Sequence, residues 1–304
     1  MRKKVLFIFN PIAGTQAKSG IRKLVEEKLT SSNIPYFVFP SVASGDYDFL
    51  KEIIAEQNIT DILIAGGDGT VNQVVSSLLN LDLNFGIIPC GSGNGLALAA
   101  HIPIQPEKAI EVFINGDPIL TDGFRVNGRF AFMLCGLGLD AKVAHDFANQ
   151  PKRGLTTYIN QVIKNFISAT TYSFEISLEN RMIETQAYFI SVANSNQFGN
   201  NFTIAPQASL NDGLLDVVIV TNQNKMSVLV QTLMQVTGIN KLEDQAFITG
   251  KKGVIYFQTD KLKVTNIDNA PLHIDGDPAE TSTEFFFEII PNCFSLIQPS
   301  REQP

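Results

Sequence analysis

Ile62 to Val75 reads ILIAGGDGTVNQVV: four apolar residues, three glycines around one aspartate, then an apolar stripe. The run Ile62 to Ala65 suits a buried parallel strand entering a turn whose glycines supply either a positive φ or a close backbone approach. Val71, Val74, Val75, Leu78 and Leu79 recur at i, i+3, i+4, i+7 and i+8, the spacing of one helix face, with Thr70 as the expected N-cap. Asp68 therefore falls where a strand ends and a helix begins. In an open α/β sheet that is the carboxyl edge, where ligands bind. The competing reading is an ordinary Gly-Asp-Gly turn, since Asp is a turn former in its own right. Asp68→Asn separates the two, because it keeps the turn and removes the charge; a catalytic role predicts lost activity with the fold unchanged.

Outward from this stretch, the first half alternates strand and helix. Val5 to Phe9, Tyr36 to Phe39, Ile62 to Ala65 and Phe85 to Ile88 read as strands; Gly20 to Leu29, Asp46 to Gln57, Thr70 to Leu79 and Leu96 to Ala100 read as helices. Strands spaced by helices of about ten residues imply βαβ units and a parallel sheet. The expectation is a doubly wound, three-layer α/β domain over residues 1–122.

The second half changes character. Phe130 to Leu134, Tyr172 to Leu178, Met182 to Ala193, Leu214 to Thr221, Val254 to Phe257, Lys261 to Thr265, Leu272 to Asp275 and Glu284 to Ile290 are rich in Phe, Val, Ile and Thr and are bounded by turn residues. Helices are expected over Leu155 to Ser168 and Lys225 to Val236. This reads as a mainly antiparallel β-sandwich domain over 123–291, followed by a segment 292–304.

Composition limits the chemistry. The 304 residues are 44% hydrophobic with no charge blocks, enough for two cores. A net charge of −7 argues against nonspecific nucleic-acid binding, which needs a basic face to displace counterions. Lys152-Arg153 and Lys251-Lys252 read as solvated charge, with contact to anionic lipid as the alternative. Cys90, Cys135 and Cys293 are far apart and never in a CxxC spacing, which fits reduced cytoplasmic thiols and gives no zinc site. The apolar part of MRKKVLFIFNP is too short for a signal peptide and reads as the first strand. The two long stretches without charge are dense in Gly, Pro, Ser and Asn, so no transmembrane segment is expected.

Three glycine-containing turns follow three strands of the first domain: Asn10 to Gly14, Gly66 to Thr70 and Gly91 to Gly95. Neighbouring parallel strands would gather these turns at one edge and offer bare backbone N–H groups and helix N-termini to phosphates. None is a Walker A loop or a convincing GxGxxG fingerprint, which disfavours a P-loop NTPase and a Rossmann dehydrogenase.

NPIAG, GGDGTVNQVV, IPCGSGNGLALAAHIP, GLGLDAKVA, NSNQFGNNFTIAPQASLNDGLLDVVIV and IDGDP, in that order from Asn10 to Pro278, resemble the successive motifs of the diacylglycerol kinase catalytic-domain family. The sphingosine and ceramide kinases are relatives of that family. The resemblance implies an ATP-dependent lipid kinase of two domains, with the nucleotide in the cleft between them, held mostly by the first, and a lipid hydroxyl presented by the second. It also implies a C-terminal segment that returns toward the first domain.

Carried over residue by residue, the resemblance puts Asn10 and Gly14 beside the nucleotide, and Gly66, Gly67, Gly69 and Thr70 on the phosphates. Gly91, Ser92, Gly93 and Asn94 would complete the phosphate and sugar side. Asp68 would act near the catalytic Mg2+ and the transferred group. Asp277 would be the general base for the lipid hydroxyl. Asp212 resembles the carboxylate of a second, structural Mg2+ site; the other reading is an Asn-Asp-Gly hairpin turn. Two departures bear on the lipid: Gly95 stands where bacterial relatives usually carry Asp, and Asp277 where the family commonly has Glu.

His101, His145 and His273 show no metal or triad spacing and read as structural or surface residues. Phe130 to Phe132 and Phe285 to Phe287 read as core strands, with an acyl-chain groove as the alternative. The implied partners are a lipid at a membrane surface and no nucleic acid, with a cytoplasmic, membrane-peripheral location and the oligomeric state open, a homodimer included. The alternatives are an NAD kinase, which shares GGDGT but lacks NPIAG, DGLLDV and IDGD, and a nucleotide-binding regulator without catalysis.

Overall fold

A computed structural model describes residues 3–10, 18–148, 150, 161, 164–165, 169–197, 205–221 and 253–300. Gly14, Lys152-Arg153, Lys251-Lys252 and the helix expected over Lys225 to Val236 lie outside the described residues. So does the helix expected over Leu155 to Ser168, apart from Gln161, Lys164 and Asn165, which are helical. The chain divides into two compact units, one up to Thr121 together with the residues from Asn292 onward, the other Asp122–Pro291.

The first unit is α/β. Its elements run β1 (Val5–Phe9), α1 (Lys18–Ser31), β2 (Tyr36–Pro40), α2 (Leu50–Gln57), β3 (Asp61–Gly66), α3 (Asp68–Leu78), β4 (Asn84–Pro89), α4 (Gly95–Ala99) and α5 (Pro106–Asn115). The strands pair in parallel in the order β2-β1-β3-β4. β15 (Glu284–Gln298) adds a fifth parallel strand through Ser295 and Leu296 beside Asn84 and Phe85. Side chains alternate across the sheet, so Phe7 and Leu63 face one way and Leu6, Ile8, Ile62 and Ile64 the other, yet all are fully buried. Burial on both faces is why these strands read as continuous apolar runs. Val25 and Leu29 of α1 with Ile110 and Phe113 of α5 cover the Phe7 face.

The second unit is antiparallel. It takes in the end of β5 (Asp117–Val126), then β6 (Arg129–Ala131), β7 (Leu134–Gly138), α6 (Leu139–Ala148), β8 (Tyr172–Leu178), β9 (Arg181–Ala193), β10 (Leu215–Thr221), β11 (Val254–Thr259), β12 (Lys261–Asn266), β13 (Leu272–Ile274), β14 (Asp277–Ala279) and the start of β15. Ribbon order is β14-β13-β7-β9-β8-β12-β15, and β10 bridges β9 and β11. The start of β15 alternates strictly, with Phe285, Phe287 and Ile289 buried and Glu284, Phe286 and Glu288 exposed. The buried set joins Phe124, Phe174, Val192, Val217 and Val264 in one core. Phe285 and Phe287 lie in the core, as read from the sequence, whereas Phe286 between them is exposed.

Three local expectations are corrected. α2 begins at Leu50, not Asp46, because the Asp46 carboxylate accepts the Asp48 N–H (2.9 Å) and holds a turn instead. Thr70 is not the N-cap; Gly67 is, and α3 starts at Asp68. Phe130 to Leu134 is not one strand, since the chain leaves the ladder between Ala131 and Leu134 to give its amides to Asp275. The elements α5, α6, β5 and the three-residue β14 have no counterpart in the sequence reading.

Candidate active site

β1, β3 and β4 end in register, Phe9 beside Ala65 and Gly66 beside Pro89, so their turns share one sheet edge. Backbone bonds carry the pairing into the turns, from Asn10 N to Ala65 O (3.1 Å) and Cys90 N to Gly66 O (2.9 Å). Asn10 Nδ2 then donates to Thr70 Oγ1 at 3.2 Å, tying the first turn to the second. The glycines serve close approach, not positive φ: none of Gly66, Gly67 and Gly91 lies in the left-handed region. A Cβ on Gly91 would stand 2.6 Å from the Gly67 Cα, and one on Gly66 would stand 2.8 Å from the Thr70 Cβ. A side chain on Gly91 or Gly67 would push the second and third turns apart, and one on Gly66 would collide with Thr70 within the second turn.

The third turn closes on itself. Asn94 takes the left-handed conformation (φ +53°), accepts the Gly91 N–H (2.8 Å) and donates to the Gly91 carbonyl (3.0 Å). Its side chain is thus spent on loop shape, while Ser92 is exposed. Gly69 and Thr70 lie in the first turn of α3.

Asp68 clamps the second turn to the third. Its Oδ2 accepts from Gly95 N (3.1 Å) and its Oδ1 from Leu96 N (3.2 Å). These are the first two amides of α4, whose own N-cap, Asn94, offers no side-chain bond. Burial pushes the Asp68 carboxyl above its ordinary range, and the bonds from Gly95 and Leu96 pull the other way. The sequence reading placed Asp68 at a metal and missed this contact. No signal in the sequence announces it, because Ser92 and Asn94 are capping residues by type and only the structure shows Asn94 bonded back to Gly91.

In the second unit, IDGD forms a two-residue hairpin. Asp275 (φ +49°) and Gly276 (φ +86°) fit a type I′ turn, and Ile274 pairs with Asp277 across it. Asp277 is exposed at the start of the edge strand β14. Asp275 is buried, and its carboxylate accepts three amides, from Phe132 (3.2 Å), Met133 (2.9 Å) and Leu134 (3.1 Å). Asp-Gly between apolar runs signals such a hairpin, but nothing in spacing announces the partner loop 140 residues upstream.

Asp212 is exposed in the turn before β10, where its Oδ1 accepts the Leu214 N–H (3.1 Å). Asp122 accepts the adjacent Gly213 N–H (2.7 Å). Asp216 is fully buried and accepts from the Tyr256 hydroxyl and from Gln258 Nε2 (3.4 Å). Burial, opposed by those two bonds and aided by Asp212, raises its carboxyl from 3.8 to about 6. Burial and the negative charge of Asp122 raise Asp212 too, against the pull of the Leu214 bond. Among the described residues no three His, Cys, Asp or Glu stand together to hold a metal. No helix among them is long and apolar enough to cross a membrane.

Comparison with known proteins matches residues 4–126 to the diacylglycerol kinase catalytic domain and 134–298 to the YegS C-terminal NAD kinase beta sandwich-like domain. A diacylglycerol kinase of Bacillus subtilis (strain 168) is 26% identical, covering 90% of each chain. One of Staphylococcus carnosus (strain TM300) is 22% identical, over 91% of this chain and 89% of the relative. The crystal structure of a diacylglycerol kinase from Bacillus anthracis str. Sterne superposes with a TM-score of 0.76 at 18% identity, covering 97% of each chain.

Two outcomes follow from the geometry. Asp68→Asn should cost about 1 kcal/mol in urea unfolding, because the amide faces one α4 N–H with its NH2 group; a variant as stable as the parent would remove the clamp. Asp216 binds its proton more tightly folded than unfolded, so its contribution to stability is full below pH 3.8 and is lost as the pH rises through about 6. The melting temperature of Asp216→Asn relative to the parent should therefore climb between pH 4 and 6 and level off above. A difference that stays flat with pH contradicts the raised carboxyl.

Proposed function

The chain belongs to the diacylglycerol kinase catalytic-domain family and is a lipid kinase, and on that premise we propose how its residues share the transfer of the ATP γ-phosphate to a lipid hydroxyl. The observation that carries the reading is that β1, β3 and β4 end together at one sheet edge, with Gly67 and Gly91 too close for a Cβ between them. Gly66, Gly67, Gly69 and Thr70 line the N-terminus of α3, an eleven-residue helix whose amides and dipole suit phosphate oxygens. Asn10 holds the Thr70 hydroxyl in place, and Gly91, Ser92, Gly93 and Asn94 form the facing lip. Gly14 completes the nucleotide side in this reading.

Phosphoryl transfer needs positioning and charge neutralisation more than covalent help. Asp68 contributes charge and shape: both of its oxygens are engaged by α4, so its influence on a catalytic Mg2+ is indirect. Asp277 acts as the base. As the lipid oxygen bonds to the γ-phosphorus, its proton passes to the Asp277 carboxylate and the bond to ADP breaks. Exposure on an edge hairpin leaves Asp277 open to a bulky substrate. The lipid is diacylglycerol or a sphingoid base, met at a membrane surface by a cytoplasmic, peripheral enzyme; Gly95 and the short Asp277 set this chain apart within its family.

Asp212 is the proposed ligand of the structural Mg2+. Its surface carboxylate in the negative field of Asp122 and Asp216 offers the hard oxygen that this cation prefers, with backbone carbonyls and water completing the shell. When bound, magnesium there would neutralise the repulsion among the three aspartates.

A lipid-panel assay with labelled ATP in detergent micelles tests the activity. Label in the organic extract is expected, and label on NAD instead would overturn the lipid assignment. Asp277→Asn should lower kcat by on the order of 10² or more, and near-parent turnover would remove the base. Added magnesium should raise the melting temperature of the parent and do so much less for Asp212→Ala; equal responses would exclude the metal site.

A further inference from the structure

We propose that His273 is a positioning residue that fixes the hairpin carrying Asp277, with Asp140 setting its tautomer. The proposal rests on the reading of Asp277 as the base. In a two-residue hairpin the flanking pair, here Ile274 and Asp277, makes the ladder bonds, so the N–H of the second turn residue has no ladder partner. That N–H belongs to Gly276, and His273 Nδ1 accepts it at 3.2 Å. A ring nitrogen that accepts is unprotonated, so in the neutral ring the proton sits on Nε2. Nε2 in turn stands 3.2 Å from Asp140 Oδ2, and both side chains are buried. The carboxylate thereby selects the tautomer that can hold Gly276.

The surroundings are built for this contact. His273 pairs with Gly136 across β13 and β7, and a Cβ on Gly136 would lie 2.3 Å from both His273 Nε2 and Asp140 Oδ2. Only glycine there lets ring and carboxylate meet over the strand. The hairpin needs an anchor, because β14 is three residues long and, among the described residues, lies at the sheet edge with β13 as its one partner. Asp275 pins the first turn residue to the amides of Phe132, Met133 and Leu134; His273 pins the second. Asp277 is one methylene shorter than Glu and has less side-chain reach with which to correct a misplaced backbone. A base displaced by about 1 Å can lose on the order of 10² in rate.

Two substitutions separate positioning from plain packing. In His273→Asn the side-chain oxygen falls near the Nδ1 position and can still accept from Gly276, while the Asp140 contact is lost. In His273→Gln the amide reaches Asp140 instead and Gly276 is released. With the full chain, ATP and the lipid that the parent phosphorylates in mixed micelles, kcat should drop tenfold or more for His273→Gln. It should stay within about threefold for His273→Asn, with KM for ATP unchanged in both. Equal kcat in the two variants would overturn the proposal, whatever their melting temperatures. The parent carries a second readout: with 15N-labelled histidine, the one ring of three lost in His273→Asn should show Nε2 protonated and Nδ1 bare at pH 7. A proton on Nδ1 overturns the proposal even if a variant fails to fold. Near-parent turnover in Asp277→Asn sinks the base assignment alone, whereas near-parent turnover in His273→Gln beside a crippled Asp277→Asn sinks the anchoring role alone.

Discussion

A gap too narrow for a Cβ, between Gly67 and Gly91, sets the scale of the turn edge of the α/β sheet. Gly67 and Gly91 end neighbouring parallel strands and approach so closely that a methyl group on either would displace the other's backbone. Everything else at that edge depends on the distance. Asp68 reaches the first amides of α4 only because the two turns touch, and α4 has an N-terminal partner only because Asp68 reaches it. One carboxylate thus does the capping that Asn94, in its left-handed conformation and bonded back to Gly91, does not do.

Much of this architecture is legible in the chain. Strands buried on both faces leave runs such as Ile62 to Ala65, and the edge of a parallel sheet leaves glycines after each run; together they disclose the α/β unit and the position of its turns. The alternating Phe285 and Phe287 disclose the antiparallel unit just as directly. Family motifs then point to lipid phosphorylation. What stays hidden is side-chain-to-backbone bonding at long range. Asp275 bends the chain at Phe132 and His273 meets Asp140, each across more than a hundred residues, and the His273 bond to the Gly276 amide lies in an unremarkable turn. Periodicity records which face a residue occupies, not which amide it accepts.

The same limit explains the misplaced helix starts. Asp46 and Thr70 are both good capping residues by type, but Asp46 is committed to the Asp48 amide and Thr70 to Asn10. Propensity names candidates, and competition for hydrogen-bond partners chooses among them. Asp68 shows the reverse case, a residue whose type suggested chemistry and whose contacts also make it structural.

The split of the first unit along the sequence has a consequence for synthesis on the ribosome. The unit breaks off at Thr121 and resumes at Asn292, so its last strand emerges about 170 residues after the rest. At the usual pace of translation that gap lasts on the order of ten to thirty seconds. Throughout it, the nascent sheet carries β4 as an open edge, and Phe85 lacks the Phe294 ring that packs against it at 6.2 Å. The antiparallel unit is complete, and free to fold, before the α/β unit that precedes it can close.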